Sequence, residues 1–220
     1  MKIKNIILFI TLCLGLGCFI LYSKPTYIKP IPQQLDTPVL VNVQNKHALF
    51  IGDSHTSNRA NGWQTQLCKL TGLQQVNPSE SGRTTYWMLN MAVYKLNDKF
   101  NYCFVYGGAN DMYSSSIKPQ HAVDNIKGIA RICDKLNVKC VVLTGFNPDL
   151  CSENPNKNYP SKYKEFQRLL LSEYMEGAIV VDTRVVSKKD CWDDLCHMAP
   201  SGHKKIAEKI IKDLNFQKIK

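Results

Sequence analysis

Five short apolar runs alternate with longer amphipathic segments from residue 47 onward, and this alternation constrains the fold more than any other feature. Apart from 74–77, the runs are almost continuously apolar, as in a parallel strand that is covered on both faces. The predicted strands are 47–51, 74–77, 101–106, 139–144 and 178–182, and the predicted helices are 57–70, 86–96, 120–136, 161–175 and 203–214. The pattern predicts an α/β fold, a three-layer α/β/α sandwich around a five-stranded parallel sheet, with the flavodoxin-like strand order 2-1-3-4-5.

The size and charge of the chain narrow its class. Its 220 residues suffice for one domain with a sizeable core. The formal net charge of +10 comes from dispersed lysines, without an arginine-rich block or a zinc-finger spacing. We therefore predict no nucleic-acid partner, while a basic face also suits an anionic membrane or a cell-wall polymer. We expect a monomer that needs no metal ion and no organic cofactor.

The N-terminal residues predict a membrane attachment. Two lysines precede an apolar run from Ile6 to Tyr22, a length at the lower end of what spans a bilayer. This pattern predicts a signal anchor or a signal peptide over 1–23, and we favour a retained anchor. Prolines over 24–46 predict an extended tether, so that 47–220 forms the globular domain. We expect an exported catalytic head, either membrane-anchored or secreted after cleavage.

Polar turns follow the first three predicted strands, at the sheet edge where open α/β folds bind ligands. Ser54 follows the first strand, Gly82 the second and Asn110 the third. Because strands one and three are predicted neighbours, Ser54 and Asn110 are expected to face one crevice. Just before the last helix, Asp194 and His197 lie three residues apart, which places both side chains on one face of a turn.

The chain resembles the SGNH (GDSL-like) hydrolase superfamily, whose four signature blocks occur in that family's order between residues 48 and 203: Gly-Asp-Ser at 52–54, Ser-Gly-Arg at 81–83, Gly-Ala-Asn-Asp at 108–111 and Asp-Leu-Cys-His at 194–197. The resemblance implies a serine esterase with the triad Ser54, His197 and Asp194. It also implies an oxyanion hole. Its donors would be the backbone N–H groups of Ser54 and Gly82 and the side-chain amide of Asn110.

These residue types suit acyl transfer. A serine hydroxyl becomes nucleophilic when a base removes its proton, and His197 is the predicted base, with Asp194 orienting its ring. His55 is a weaker alternative base, because adjacent side chains in a turn diverge. Asp193 is a weaker alternative acid, because it lies four residues from the histidine instead of the family's three.

Other polar residues near these blocks have predicted supporting roles. Asp53 and Asp111 are expected to hydrogen-bond within their turns, and His203 is expected to support the last helix. Arg83 is a candidate for binding an anionic group of the substrate, and a solvated surface position is its alternative. Further substrate contacts are expected from the loops 112–119 and 145–160, after the third and fourth strands.

Seven of the nine cysteines lie beyond the N-terminal apolar run. In an exported head disulfides are expected, and a bridge between two of Cys151, Cys191 and Cys196 would pin the segment that carries the acid and the base. Cys103 and Cys140 fall within predicted strands and suit the core. A zinc site is the alternative, but no paired Cys-x-x-Cys spacing supports it.

The predicted function is hydrolysis of acyl esters, acetyl or another short chain, through an acyl-enzyme on Ser54. Small-molecule or glycan esters are the expected substrates. An O-acetylated glycan is favoured, because the tether and the basic surface would hold the head beside such polymers and the turns lack a long apolar lid. The alternatives are a lysophospholipase- or thioesterase-type hydrolase, a hydrolase-like glycan-binding module, and acetyl transfer.

Overall fold

The predicted parallel sheet is present in a computed structural model of the chain, which describes residues 39–57, 60–151, 158–192 and 197–219. Its strands are β1 (His47–Gly52), β2 (Gln74–Val76), β3 (Tyr102–Tyr106), β4 (Lys139–Leu143) and β5 (Ala178–Val181). They pair in parallel in the order β2-β1-β3-β4-β5, which confirms the predicted topology. The helices are α1 (Trp63–Thr71), α2 (Thr85–Lys95), α3 (Ala109–Tyr113), α4 (Pro119–Lys135), α5 (Tyr159–Ser172) and α6 (Pro200–Asp213).

Successive residues of the central strands alternate between two apolar layers. On β1, Leu49 and Ile51 pack with α2, α4 and α5, whereas Ala48 and Phe50 pack with α1 and α6. All four side chains are fully buried. The sheet is therefore the middle layer of the predicted sandwich, and coverage of both faces explains why its central strands are continuously apolar in sequence, whereas the exposed edge strand β2 is not.

Two helices differ from their predicted extents for local reasons. The first helix begins at Trp63 instead of residue 57, because Gly62 is extended, with φ −62° and ψ 154°. The short helix α3 was not predicted. It begins after Gly108, whose φ of 103° lies in the left-handed region that glycine adopts at little cost.

The N-terminal predictions fall mostly outside the described residues. The anchor over 1–23 and the tether up to residue 38 lie there and stay predictions. Within the described ranges, no helix combines the length and the apolarity that a membrane crossing needs. The last part of the predicted tether packs on the domain, since Val41 forms a parallel bridge with Phe216 and Val43 is fully buried against the α1–α6 layer.

Gly52 fixes the position at which β1 ends. A Cβ atom there would lie 2.3 Å from the Tyr106 carbonyl oxygen and 2.4 Å from Oγ1 of Thr56. The Thr56 hydroxyl donates to that same carbonyl at 3.2 Å. Only a glycine permits this approach, which ties the turn after β1 to the end of β3. Ser54 therefore lies at the carboxyl edge of the sheet.

Candidate active site

Ser54 and His197 come together at this edge, although 143 residues separate them in the chain. Nε2 of His197 lies 3.0 Å from Oγ of Ser54, and both residues are partly buried. At this distance an unprotonated Nε2 can accept the hydroxyl proton. The structure thus places the predicted nucleophile and the predicted base within hydrogen-bonding reach.

The turn that carries Ser54 is held by its own hydrogen bonds. The backbone N–H groups of Thr56 and Ser57 donate to the Asp53 carbonyl at 3.0 and 2.8 Å. The His55 N–H donates to the Asp53 carboxylate at 3.0 Å, and the Ser57 hydroxyl donates to the Ser54 carbonyl at 3.0 Å. Asp53 therefore organises the turn, as its position suggested.

His55 has a packing role that sequence reasoning missed. Its side chain is buried, and its ring centroid lies 5.5 Å from Tyr106, 4.8 Å from Phe146 and 5.2 Å from His197. The His55 and His197 rings are near parallel, at 23°. His55 thus buttresses the ring of the predicted base. The sequence contained no signal for this contact, because it depends on residues from β3 and from the loop after β4.

His197 lies on a hairpin whose base is anchored by a buried carboxylate. Cys191 and Met198 form an antiparallel bridge, and the Trp192 N–H donates to the His197 carbonyl at 2.8 Å. Asp190 accepts hydrogen bonds from the Ser187 backbone and hydroxyl and from the Lys205 ammonium at 2.6 Å. Burial opposes ionisation of Asp190, but these donors outweigh it and hold its pKa below the ordinary value. The ionised carboxylate stabilises the base of the hairpin.

The predicted acid and the predicted disulfide lie at the edge of what the structure describes. Asp194, its alternative Asp193 and Cys196 belong to 193–196, outside the described residues, as does the side chain of Cys151. Sγ of Cys191 lies 3.6 Å from the Ser187 carbonyl oxygen. The third member of the triad and the bridge among the three cysteines therefore stay predictions.

Gly82 lies in the loop after β2, and Asn110 lies in the first turn of α3, after β3. Gly82 has a φ of 77°, and a Cβ atom added to it would have no neighbour within 4 Å, so its backbone borders open space. The Asn110 amide donates to the Arg83 carbonyl at 3.0 Å and to Oδ2 of Asp53 at 3.4 Å. Both amide hydrogens have acceptors within the protein. If the Asn110 amide donates to an oxyanion, it would therefore share or replace its hydrogen bond to Asp53, which is the longer and weaker of the two.

Two buried carboxylates position Asn110. Asp53 accepts from its amide, and Asp111 joins its helix to the N-terminus of α2. The Thr85 hydroxyl donates to Asp111 at 2.6 Å and the Thr85 N–H donates at 2.9 Å. The segment after Gly82 and the helix that carries Asn110 are thus connected by buried hydrogen bonds, which preorganise the predicted oxyanion donors.

Arg83 is already engaged by neighbouring side chains. Its guanidinium forms a salt bridge with Glu80 at 2.5 Å and lies 5.3 Å from the centroid of the Trp87 ring. Its observed link to the site is the backbone carbonyl that accepts from Asn110. A role of its side chain in substrate binding stays a prediction.

His203 lies in the first turn of α6, where Nδ1 accepts from the Trp63 N–H at 3.2 Å.

Burial raises the pKa of Asp53 from 3.8 to about 7. The hydrogen bond from the His55 backbone lowers this pKa, and the negative charge of the nearby Asp111 raises it further. A folded-state pKa above the unfolded value means that the native state holds a proton that the unfolded state releases. We therefore expect the free energy of unfolding to fall as pH rises from about 4 to about 7, by up to about 1.4 kcal/mol per pH unit. Urea titrations across this range should show the slope reduced in Asp53→Asn and retained in Asp98→Asn, at an exposed position. Identical slopes in both variants would contradict the raised pKa.

Among the residues that the structure describes, no group of three His, Cys, Asp or Glu side chains is placed to hold a metal ion. The described part of the site brings together an alcohol and an imidazole, with an amide nearby.

Comparisons with known proteins identify the family and the fold. The family model of the GDSL-like lipase/acylhydrolases matches residues 49–210. No curated protein matches the chain. Three solved structures share its fold: a GDSL-like lipase from Bacteroides thetaiotaomicron, a member of the lipolytic G-D-S-L family from Veillonella parvula and an acetylxylan esterase from Geobacillus stearothermophilus.

The three structures are similar in shape and distant in sequence. The Bacteroides lipase has a TM-score of 0.62 and 17% identity, over 77% of this chain and 87% of its own. The Veillonella protein has a TM-score of 0.62 and 15% identity, over 76% of this chain and 97% of its own. The acetylxylan esterase has a TM-score of 0.62 and 17% identity, over 80% of this chain and 98% of its own. Such identities show a common fold, whereas the family match covers most of the sequence. The chain therefore belongs to the GDSL-like lipase/acylhydrolase family and is a carboxylic ester hydrolase.

Proposed function

We propose that this chain hydrolyses short-chain acyl esters, with O-acetyl groups on sugars as the substrates, through an acyl-enzyme on Ser54. The observation that carries the proposal is the 3.0 Å contact between Nε2 of His197 and Oγ of Ser54. A buried stack that includes His55 holds the imidazole in place. A hydroxyl this close to a positioned base is an activated nucleophile.

In the first half of the reaction, Oγ of Ser54 attacks the ester carbonyl carbon while Nε2 of His197 takes the hydroxyl proton. The carbonyl oxygen becomes an oxyanion, stabilised by the N–H groups of Ser54 and Gly82 and by the Asn110 amide. Collapse of this intermediate breaks the bond between the carbonyl carbon and the alcohol oxygen. His197 returns its proton to that oxygen, and the alcohol leaves. Asp194 would hold the other nitrogen of the imidazole.

In the second half, water replaces the alcohol. His197 takes a proton from water, the hydroxide attacks the acyl-enzyme carbonyl, and the same donors stabilise the second oxyanion. Collapse breaks the bond to Oγ of Ser54, which recovers its proton from the imidazolium, and the carboxylic acid leaves. Ser54 and His197 thus return to their starting protonation states, and the reaction needs no oxidant or reductant.

Three features support a sugar acetate over a long-chain ester. The chain shares its fold with an enzyme that is described as an acetylxylan esterase. Its net charge of +10 favours proximity to anionic polymers. The loop after α3 carries consecutive serines, and Ser114 and Ser116 hydrogen-bond each other at 2.9 Å on the exposed surface, where they present polar groups near the Asn110 helix.

A panel of esters tests the substrate class. We expect the highest kcat/KM for an acetylated xylo-oligosaccharide, lower turnover of p-nitrophenyl acetate, and at least a tenfold loss for p-nitrophenyl laurate. Initial rates are measured by acetate release for the oligosaccharide and by absorbance for the two p-nitrophenyl esters. A xylo-oligosaccharide is added as acceptor to detect acetyl transfer. A preference for laurate or for lysophosphatidylcholine would overturn the sugar-ester proposal in favour of a lipid hydrolase.

A further inference from the structure

A small cavity adjoins the hairpin that carries His197. Its volume is about 200 Å³, and it is lined by Ala60, Asn61, Trp192, Met198, Pro200 and His203. Met198 directly follows His197, and the backbone of Trp192 is hydrogen-bonded to the His197 carbonyl at 2.8 Å. We call this cavity the hairpin pocket. It shares one wall with the segment that positions the predicted base.

The walls of the hairpin pocket are cross-linked by hydrogen bonds from α1. The Gln66 side-chain amide donates to the Asn61 carbonyl at 2.9 Å and to the Pro200 carbonyl at 3.3 Å. The Trp63 N–H donates to His203 at 3.2 Å. These contacts join the loop before α1 to the start of α6 across the pocket. These hydrogen bonds hold the walls of the pocket in place.

Trp192 is the large apolar side chain at the rim of this pocket. Its side chain is 52% exposed, whereas Met198 in the opposite strand of the hairpin is 1% exposed. The antiparallel bridge between Cys191 and Met198 fixes the strand that presents the indole. A half-exposed indole over an apolar floor, beside the exposed Asn61, combines a flat stacking surface with a polar group.

The reaction determines which half of the ester lies on this side. His197 must return its proton to the oxygen of the departing alcohol, so the alcohol lies next to the imidazole and its hairpin. The predicted oxyanion donors Gly82 and Asn110 come from other segments, the loop after β2 and the helix after β3. On the basis of the proposed function, we infer that the hairpin pocket binds the sugar alcohol of the ester. The Trp192 indole packs against the C–H face of the ring, and Asn61 faces its hydroxyl groups.

A binding experiment tests this site without turnover. In a Ser54→Ala background, we expect xylotriose titrated by NMR to bind with a dissociation constant that Trp192→Ala raises about tenfold, the size of one aromatic stacking contact. Trp192→Phe should restore most of the affinity, because it keeps a flat ring. Tyr174→Ala removes an aromatic side chain that is 83% exposed on another surface, and should leave the affinity unchanged. Equal affinity with and without the Trp192 ring would overturn the inference.

Kinetics with an intact Ser54 separate this inference from the proposed function. We expect Trp192→Ala to lower the ratio of kcat/KM for acetylated xylotriose to kcat/KM for ethyl acetate about tenfold, mainly through KM, because ethanol cannot stack. A protein that hydrolyses both esters with an unchanged ratio refutes the Trp192 site alone. A protein that hydrolyses neither, while its Ser54→Ala form binds xylotriose through Trp192, refutes the proposed function alone.

Discussion

Replacing Ser54 with alanine is expected to lower kcat for p-nitrophenyl acetate by at least about 10⁴-fold, since the variant has no nucleophile. His197→Ala should cause a loss of similar size, because the 3.0 Å contact makes the two residues one unit. The double variant should be no worse than either single one, since residues that act together lose their contribution once. Rates and labelling by an organophosphonate fluor probe at pH 8 measure these losses.

Matched controls make this prediction specific. His121→Ala, at an exposed position on α4, should retain both rate and labelling. The adjacent residues Asp193 and Asp194 give a second pair of matched variants. Asp194→Asn should lower kcat by about 10⁴-fold, and Asp193→Asn should leave it unchanged. Full labelling of His197→Ala would show that another group activates the serine. A large loss in Asp193→Asn alone would move the acid by one residue.

Removing the Asn110 amide is expected to lower kcat by about 10²–10³-fold with little change in KM, because an oxyanion donor acts chiefly in the transition state. The amide is positioned by the Arg83 carbonyl and the Asp53 carboxylate, so the donor is held before substrate binds. Asn110→Ala is compared with wild type by steady-state kinetics on p-nitrophenyl acetate. The midpoint of thermal unfolding is measured alongside.

Asn90→Ala is the control for this variant. Asn90 is exposed on α2, where its amide donates to the Tyr86 carbonyl at 3.0 Å, so its loss should leave kcat unchanged. If Asn110→Ala keeps its kcat and loses only thermal stability, the amide supports the loop and does not serve the oxyanion. If it raises KM at constant kcat, the amide binds substrate and transition state equally.

The fold was predictable because its determinants are local and repeated. Continuous apolar runs such as 139–144 identify strands that are buried on both faces, and helical spacing identifies the layers that cover them. Predictions were less accurate where the backbone depends on distant atoms. The helix predicted from residue 57 begins at Trp63, because Gly62 is extended. The helix that carries Asn110 follows a left-handed Gly108, a conformation that the hydrophobic pattern does not reveal.

The sequence predicted that the candidate site residues share one edge of the sheet, because the carboxyl ends of parallel strands lie together. The structure brings Ser54 and His197 within hydrogen-bonding reach, and the oxyanion roles of Gly82 and Asn110 stay predictions. The contacts that orient these groups were not foreseen. His55 packs beside His197 in an aromatic stack, and the Asn110 amide is held between a carbonyl and a buried carboxylate. Each depends on side chains from separate elements, whose approach no local pattern encodes.

The sequence by itself determined the family, the strand order and the chemical types at the carboxyl edge, because hydrophobic periodicity and short motifs are properties of contiguous residues. Only the tertiary structure decided that His197 reaches Ser54 across 143 residues, that Asp53 is buried deeply enough to raise its pKa, and that Trp192 borders a pocket. The distance between Ser54 and His197, the burial of Asp53 and the pocket beside Trp192 all arise from packing between separate elements. They therefore depend on the folded chain and not on any contiguous stretch of sequence.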